Sequence, residues 1–328
     1  MDGDSGGSTL SRLTERYDEN SVRVRPGRGS RPRTRRRPDH EKAAEGFVTT
    51  VDRGRYSCLV GDRRVVAMKA RELGRGSVVV GDRVRIVGDV SGRPGTLARI
   101  VGVRPRGSVL RRTADDSDPV ERVIVAGADQ LVIVASLAGP PPRPRLIDRC
   151  LVAAYDAELD PLLCIAKSDL ASPDDLLGIY APLGVPYVVT RMDRPLDALR
   201  TRLVGRVSVL VGHSGVGKST LVNALVPGAR RATGEVNVVT GRGRHVSSSA
   251  VALPLPAADG GWIIDTPGVR SFGLAHVSPD DVIEAFPDLA DGARACPRGC
   301  DHLGPECALD GWVAEGNAGA ALLDITDN

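Results

Sequence analysis

Residues 212–219 read Gly-His-Ser-Gly-Val-Gly-Lys-Ser, from Gly212 to Ser219, and match the phosphate-loop pattern G-x-x-x-x-G-K-[ST]. The apolar run Val207–Val211 precedes this loop and the helical pattern Thr220–Leu225 follows it, which is the strand–loop–helix context that the pattern requires. Glycines would let backbone N–H groups close around phosphates, and the helix N-terminus favours negative charge. The sequence therefore predicts a nucleoside triphosphate site in an α/β domain, with a glycine-rich surface turn as the alternative.

Two side chains and one strand end would carry the chemistry of this loop. Lys218 would reach the β and γ phosphates, and the Ser219 hydroxyl would ligate Mg²⁺. Asp265 ends an apolar run in the pattern D-x-P-G and would hold Mg²⁺ through a water, unless this segment is an ordinary strand-to-turn junction. The N–H of Gly268 would sense the γ-phosphate. The nucleotide contacts expected from these segments come from Gly212, His213, Ser214, Gly215, Val216, Gly217, Lys218, Ser219, Thr220 and Gly268.

An upstream segment favours guanine over adenine. Residues 166–169, Ala-Lys-Ser-Asp, nearly match the pattern N-K-x-D, although they could simply cap the following helix. The Asp169 carboxylate could accept from N1–H and the N2 amino group of guanine, donors that adenine lacks, while the Lys167 stem would pack along the base. Ala166 replaces the usual Asn, so we expect the hydrogen bond between this loop and the phosphate loop to be missing. Thr190 either lies beside the base or is an exposed strand end.

The order of these segments is permuted relative to ordinary GTPases. Base recognition at 166–169 and 190 precedes the phosphate loop at 212–219 and the D-x-P-G segment at 265–268. All of these loops would lie at the carboxyl ends of parallel strands, so a circular permutation leaves the site unchanged. The γ-phosphate segment then leads directly into the C-terminal region, where a switch motion could act on whatever follows.

The permuted order resembles a bacterial family, the circularly permuted ribosome-biogenesis GTPases that depend on the small ribosomal subunit. The residues that carry the resemblance are Gly-His-Ser-Gly-Val-Gly-Lys-Ser-Thr-Leu-Val-Asn at 212–223 and Asp-Thr-Pro-Gly-Val-Arg-Ser-Phe-Gly-Leu at 265–274. The runs Leu-Ile-Asp-Arg-Cys-Leu at 146–151 and Ala-Asp-Gln at 128–130 also resemble that family. The resemblance covers residues 46–310.

The resemblance also places a first switch between the phosphate loop and D-x-P-G. Val269 stands where signalling GTPases carry a water-orienting Gln, so intrinsic hydrolysis should be slow. His245 corresponds to the histidine of the family's Gly-x-His-Thr-Thr run and is the candidate for positioning water, although a lone loop histidine can be a bystander. Val246 replaces the first Thr of that run, so the Mg²⁺-sensing hydroxyl falls to Ser247, with Ser248 as the alternative.

Five short strand patterns separated by turn signals lie between residues 46 and 104, at 47–51, 56–60, 65–70, 78–87 and 97–103. Such a series predicts a small β-barrel, and the resemblance makes it an OB-fold. The barrel is expected to bind an RNA backbone more than stacked bases, since Phe47 and Tyr56 are its only aromatic residues. A merely structural barrel is the alternative. The basic residues that suit RNA are Arg53, Arg55, Arg63, Arg64, Arg83 and Arg85.

Charge is unevenly distributed along the chain, which carries 44 basic and 41 acidic residues. A segment without acidic residues, 21–38, should be disordered when free, and either binds rRNA phosphates or is a solvated tail. Its arginines are Arg23, Arg25, Arg28, Arg31, Arg33, Arg35, Arg36 and Arg37. The sequence shows no apolar stretch of membrane-spanning length and no signal-peptide pattern, which favours a soluble cytoplasmic protein with no membrane partner.

Three of the six cysteines cluster with a histidine, in the spacing Cys296-x3-Cys300-x-His302-x4-Cys307. Three thiolates and one imidazole match a closed structural site for one Zn²⁺, with free thiols on a loop as the alternative. The resemblance implies a similar finger with slightly longer intervals. The other cysteines, Cys58, Cys150 and Cys164, lie in apolar runs and are expected in the core.

These patterns predict a multidomain protein. Its parts would be a disordered Arg-rich tail (1–45), an OB-fold RNA-binding β-barrel (46–104), a linker (105–118), an α/β phosphate-loop GTPase domain with circularly permuted motif order (119–276) and a small zinc-binding C-terminal domain (277–328).

The resemblance implies a monomeric, Mg²⁺-dependent GTP hydrolase that acts late in maturation of the small ribosomal subunit. It would bind the subunit's rRNA, be stimulated by the subunit, and be released when GTP is hydrolysed to GDP. The rival is a nucleotide-dependent RNA-binding module with negligible turnover, which Val246 and Val269 leave open. A metabolic ATP-using kinase fits Asp169 and the D-x-P-G segment poorly.

Overall fold

The computed structural model describes residues 40, 42–74, 76–113, 121–226, 228–229, 250–256, 260–267, 274, 279–284, 286–300, 302 and 306–318. The chain divides into two units, Met1–Glu41 and Lys42–Asn328, and every element below belongs to the second. Of the predicted tail, residues 1–39 and 41 lie outside the described residues. Its last two residues, Ala44 and Glu45, already belong to the first strand.

Five strands close into a barrel, as predicted. They are β1 (Ala44–Asp52), β2 (Arg55–Val60), β3 (Arg63–Lys69), β4 (Arg83–Val87) and β5 (Ala98–Val103). Antiparallel pairs join β1 to β2, β2 to β3, β4 to β5 and β1 to β4, while β3 and β5 are parallel. Every second residue of β2, namely Tyr56, Cys58 and Val60, is buried, because side chains alternate across a strand.

The fourth strand is shorter than predicted. We expected a strand over 78–87, but only Arg83–Val87 forms one. Gly81 has a φ of 91°, and a Cβ there would lie 2.0 Å from the Ala126 carbonyl oxygen. The run therefore turns at Gly81, and Val80 forms a parallel bridge with Val125 outside the barrel strands.

The segment expected as a linker is structured over its described part. Strand β6 (Val109–Arg112) pairs antiparallel with β7 (Arg122–Ala126). Just before β6, the guanidinium of Arg106 donates to both carboxylate oxygens of Asp82, at 2.7 and 2.8 Å. Because the Asp82 side chain is fully buried, this bidentate pair attaches the segment to the end of the barrel.

The sheet of the α/β part is formed by β8 (Gln130–Ser136), β9 (Asp160–Ala166), β10 (Tyr187–Val189), β11 (Val207–Val211), β12 (Val251–Pro254) and β13 (Trp262–Asp265). Its order is β10-β9-β8-β11-β13-β12. All neighbours are parallel except β12 and β13. Alternate residues of β8 enter two different cores, Leu131 and Ile133 on one face and Val132 and Val134 on the other.

Helices cover both faces of this sheet, which gives three layers and agrees with the predicted α/β class. Helices α1 (Pro144–Asp156) and α2 (Asp174–Tyr180) pack on the first core, and α3 (Asp197–Leu203) and α4 (Lys218–Leu225) on the second. None of the described helices combines the length and apolar character of a membrane span, and the longest, α1, has 13 residues.

Strand β12 joins this sheet to the barrel. Its Val251 is the register partner of Thr50 in β1 on one side and of Asp265 in β13 on the other. The rings of Phe47 and Trp262 meet across the same junction, with centroids 4.8 Å apart. Phe47 belongs to the first core of the α/β sheet, so the two parts share apolar packing as well as a strand edge.

The described part of the C-terminal region contains three short helices: α5 (Pro279–Glu284), α6 (Pro287–Ala293) and α7 (Ala308–Ala314). Ile283, Phe286 and Leu309 pack in one apolar cluster with Val152 of α1. The rings of Tyr155 and Phe286 meet edge to face at 5.3 Å. The region is therefore fixed on α1 through apolar contacts.

Candidate nucleotide-binding site

The phosphate loop connects β11 to α4, as the sequence predicts. Gly212 passes so close to β8 that a Cβ would lie 2.3 Å from the Val134 carbonyl oxygen. Gly217 has a φ of 105°, in the left-handed region, and precedes the first residue of α4. Val216 is buried in the core beneath the loop, whereas Ser214 and Gly215 are exposed. The loop is anchored from below and open above, where phosphates would bind.

Lys218 is buried under the loop, with 6% of its surface exposed. Its ammonium donates to the carbonyl oxygens of Gly212 at 2.6 Å and His213 at 3.1 Å. Burial lowers the pKa of Lys218 to about 8, and the neighbouring Asp265 carboxylate opposes that shift. A cation held against carbonyl oxygens at some electrostatic cost is ready to pair with phosphate oxygens.

Asp265 lies at the end of β13 next to the phosphate loop. It is the register partner of Leu210 in β11 and is 3% exposed. The hydroxyl of Thr266, a residue that our sequence interpretation missed, donates to the Leu210 carbonyl oxygen at 2.7 Å. Thr266 could have been found in the sequence from its position between the Asp and the Pro of D-x-P-G. Ser219 is partly exposed in the first turn of α4.

The loop predicted to recognise the base lies at the same edge of the sheet. Strands β9 and β10 are parallel, and Val189 is the partner of Ile165. Beyond them the Ser168 N–H and hydroxyl both donate to the Thr190 carbonyl oxygen at 3.3 Å. Asp169 is exposed. A hydrogen bond to Asp193 raises the pKa of Arg191, and the Asp169 charge adds to that effect, so Asp169 lies within electrostatic reach of Arg191.

Lys167 ties the base loop to the phosphate loop. Its φ of 62° places it in the left-handed region, and its ammonium donates to the carbonyl oxygens of Gly215, at 3.0 Å, and Gly139. The sequence predicted that a tie would be missing because Ala166 replaces Asn. Ala166 is indeed buried and apolar, but the lysine provides a connection of its own. Gly139, which follows β8 at the same sheet edge, was not among the predicted residues.

Thr190 is buried, with 5% exposed, so it is not an exposed strand end. Its hydroxyl donates to the Ile165 carbonyl oxygen at 3.2 Å and lies 3.9 Å from the Cys164 sulfur. The residue supports the loop through both its hydroxyl and its carbonyl. Direct contact with a base stays a prediction.

Several predicted residues lie outside the described part of the chain. These are the water-positioning candidate His245, the metal-sensing candidates Ser247 and Ser248, and Gly268, together with Val246 and Val269. Their roles stay predictions.

The four predicted metal ligands come together. The sulfur atoms of Cys296 and Cys307 are 3.8 Å apart, and His302 Nδ1 lies 3.7 Å from each. All four ligand atoms, including that of Cys300, lie within 4.8 Å of one another. Zinc–sulfur bonds of about 2.3 Å in a tetrahedron separate the sulfur atoms by about 3.8 Å, so the cluster has the size that such an ion requires.

Backbone N–H groups also contact two sulfur atoms of this cluster. The N–H groups of His302 and Leu309 donate to the sulfurs of Cys300 and Cys307, each at 3.4 Å. Burial raises the pKa of Cys307 to about 11, and a divalent cation between the ligands would lower it by stabilising the thiolate. The cluster could therefore hold a metal ion.

Comparison with known proteins identifies the family to which this chain is similar. Residues 103–275 match the family model described as RsgA GTPase. A relative from Pseudomonas aeruginosa, named small ribosomal subunit biogenesis GTPase RsgA, is 43% identical over 220 residues, which cover 64% of this chain and 63% of the relative. The chain thus spans less than two thirds of that protein. A relative of the same name from Chlorobaculum parvum is 34% identical over 306 residues, covering 86% of this chain and 98% of the relative.

Two solved structures share the fold. The crystal structure of YjeQ from Thermotoga maritima has a TM-score of 0.65 and 26% identity, and the match covers 86% of this chain and 95% of that one. The structure of YloQ, described as a circularly permuted GTPase, has a TM-score of 0.61 at 23% identity, covering 89% and 95%. The predicted resemblance and the permuted fold are confirmed, and the chain belongs to the RsgA GTPase family.

Proposed function

We propose that this chain binds GTP with Mg²⁺ and hydrolyses it to GDP and phosphate. The observation that carries the proposal is the junction of base loop and phosphate loop, where Lys167 donates to Gly215. It brings a guanine-type carboxylate, Asp169, to the same sheet edge as Lys218 and Asp265. Membership of a GTPase family supports the same chemistry.

Each residue of the site would contact a different part of the nucleotide or its metal ion. Lys218 would exchange the carbonyls of Gly212 and His213 for the β and γ phosphates, because a phosphate oxygen is a stronger partner for an ammonium than a neutral carbonyl. Ser219 would ligate Mg²⁺ and Asp265 would hold it through a water; the ion would neutralise charge on the transferred phosphoryl group. Asp169 would read the guanine edge, and the main chain of residues 212–220 would surround the phosphates.

Hydrolysis needs a group that orients water. With Val269 in place of the usual Gln, we assign that role to His245, and the metal-sensing hydroxyl to Ser247. Both assignments rest on the resemblance of the first switch to the family's Gly-x-His-Thr-Thr run. The group would act when a partner positions the loop, which makes turnover partner-dependent.

The proposed partner is the small ribosomal subunit, whose biogenesis the relatives' names specify. The chain would act as a cytoplasmic, monomeric factor in late maturation and leave the subunit after hydrolysis. The barrel supports contact with rRNA: its parallel β3–β5 pair closes a five-stranded ring of the OB-fold kind. Its exposed arginines are Arg53, Arg55, Arg63, Arg64 and Arg83, with Arg85 half-buried. Cationic side chains suit the phosphate backbone.

The C-terminal region would hold one structural Zn²⁺ through Cys296, Cys300, His302 and Cys307. The ligand atoms of these three cysteines and one histidine lie within 4.8 Å of one another, and together they would fill all four positions of a tetrahedral ion and leave none for substrate. The ion would therefore stabilise the region rather than take part in hydrolysis.

Measurement of GTP turnover with and without purified small subunits tests the proposal. We expect slow turnover by the chain alone and at least a tenfold increase, on the order of one positioned group, when subunits are added. Nucleotide-dependent binding to the subunit without turnover would instead favour an RNA-binding module that uses GTP only as a ligand. Equal affinity for ATP and GTP would contradict the base assignment.

A further inference from the structure

The imidazole of His302 has a partner on each side. Its Nδ1 faces the sulfurs of Cys296 and Cys307, and its Nε2 lies 3.2 Å from a carboxylate oxygen of Asp280. The His302 side chain is 6% exposed, whereas that of Asp280 is 78% exposed. A buried ring therefore directs one nitrogen into the cluster and the other to a carboxylate at the surface.

The two nitrogens of a histidine ring have different roles when one binds a metal. A ligating histidine usually donates its second N–H to a carboxylate or carbonyl, which fixes the tautomer and ring orientation and makes the ligating nitrogen more basic. We propose that Asp280 is the outer-sphere acceptor of the metal cluster: it holds the Nε2–H of His302 so that Nδ1 presents its lone pair to the ion. The inference rests on the proposed zinc site.

The backbone conformation of His302 explains why a contact such as that with Asp280 is needed. Its φ of 61° lies in the left-handed region, which non-glycine residues adopt at a cost and only where the surroundings hold them. The N–H of His302 is held by the Cys300 sulfur at 3.4 Å, and Asp280 holds the far side of the ring. Together these contacts determine both the backbone and the ring plane of the ligand.

Asp280 also joins the cluster to a specific helix. It lies in α5, whereas all four ligands follow α5 in the chain. Ile283 of the same helix is buried and packs with Val152 of α1. Since Asp280 is exposed and takes no part in that apolar cluster, removing its carboxylate should loosen the histidine without disturbing the packing of α5. The role is therefore separable from folding.

The test uses the full zinc-loaded chain and two variants of α5, Asp280→Ala and Glu284→Ala. Both remove one exposed carboxylate from the same helix, but Glu284 makes no described contact with the ligands. Zinc affinity would be measured by competition with a chromophoric chelator. We expect Asp280→Ala to weaken zinc binding about tenfold, at the low end of what outer-shell partners contribute because the carboxylate is exposed. Glu284→Ala should match the parent chain.

Cobalt substitution gives a second readout that surface charge alone would not move. The d–d absorption bands of Co²⁺ report ligand geometry, so Asp280→Ala should shift or broaden them while Glu284→Ala leaves them unchanged. Equal zinc affinity in Asp280→Ala and Glu284→Ala, or identical cobalt spectra, would overturn the inference. A parent chain that carries no zinc would overturn the metal site first and this inference with it, so the two failures are distinguishable.

Discussion

The candidate nucleotide site and the metal cluster differ in the secondary structure that positions their residues. The nucleotide groups lie at the ends of strands such as β9, β11 and β13, whose residues are buried by helices on both faces. The cluster lies among α5, α6 and α7, which have six or seven residues each. Helices of that length are not stable alone, since about 12–15 residues are needed even in favourable sequences. We infer that the sheet holds the first site in place, while apolar packing on α1 and a bound ion would together hold the second.

This difference predicts that each site can be lost without the other. A substitution in the phosphate loop should abolish nucleotide binding and spare the metal. A substitution of a metal ligand should do the reverse, apart from effects carried through the contact between Tyr155 and Phe286.

Lys218→Ala is expected to have the largest effect. Removing a buried cation that would pair with two phosphates should weaken GTP binding by at least about 1,000-fold, from the loss of two or more charge-assisted bonds. Because burial depresses the pKa of Lys218, the charge is an electrostatic cost to the free protein, and the fold should survive. Titration calorimetry and thermal unfolding check both parts. Normal turnover in this variant would exclude the loop as the active site.

Cys300→Ser tests the second half of the comparison. Losing one of three thiolates should reduce zinc content from one per chain to a small fraction, because a hydroxyl is a poor replacement in a sulfur-rich site. Elemental analysis measures the content, and GTP affinity should stay within about twofold of the parent. Cys164→Ser, at a buried cysteine away from the cluster, is the control and should keep its zinc. Retained zinc in Cys300→Ser would contradict the ligand set.

Asp169→Asn separates base recognition from phosphate binding. The amide loses the charge and one acceptor toward guanine, which should weaken GTP binding about 100-fold, equivalent to roughly 3 kcal/mol for two charge-assisted bonds. Xanthosine triphosphate, whose C2 carbonyl suits an amide donor, should bind better to the variant than to the parent. Unchanged affinities for both nucleotides would remove Asp169 from the base site.

His245→Ala is expected to have a smaller effect, confined to turnover. A residue that positions water contributes at least about tenfold, so turnover stimulated by the small subunit should fall by that factor while GTP affinity stays unchanged. His213→Ala is a useful comparison, since His213 lies in the phosphate loop but its ring contacts the Ser214 carbonyl oxygen. Full stimulated turnover in His245→Ala would point to a group supplied by the ribosome.

Much of the geometry of the candidate nucleotide site could be predicted, because its residues lie at strand ends in short patterns. The phosphate loop and D-x-P-G each combine an apolar strand with a fixed glycine or carboxylate position, and Cys296 to Cys307 have metal-ligand spacing. Contacts made by main-chain atoms were not predictable in this way. The tie between Lys167 and Gly139 depends on a carbonyl oxygen 28 residues away, which any residue type could supply.

The barrel shows a second reason why some features could not be predicted from the sequence: they depend on residues that are distant in the chain. The segment 78–87 has the pattern of one strand, but its first half pairs Val80 with Val125, which only the tertiary fold brings near. Asp280 could not be predicted either, because its proposed role depends on its contact with His302, 22 residues further along the chain.

The smallest expected effect is a pH dependence of nucleotide affinity that arises from Lys218. In the free protein burial holds its pKa at about 8, below the ordinary value of 10.5, while phosphate oxygens would restore a higher pKa in the complex. Binding above pH 8 must therefore take up a proton, and GTP affinity should fall about fourfold between pH 7 and 8.5, as a single group with that pKa requires. The metal cluster lies outside this loop, so Cys300→Ser should keep the same pH slope. A flat profile over this range would mean that Lys218 is charged throughout, and that burial under the loop lowers its pKa less than inferred.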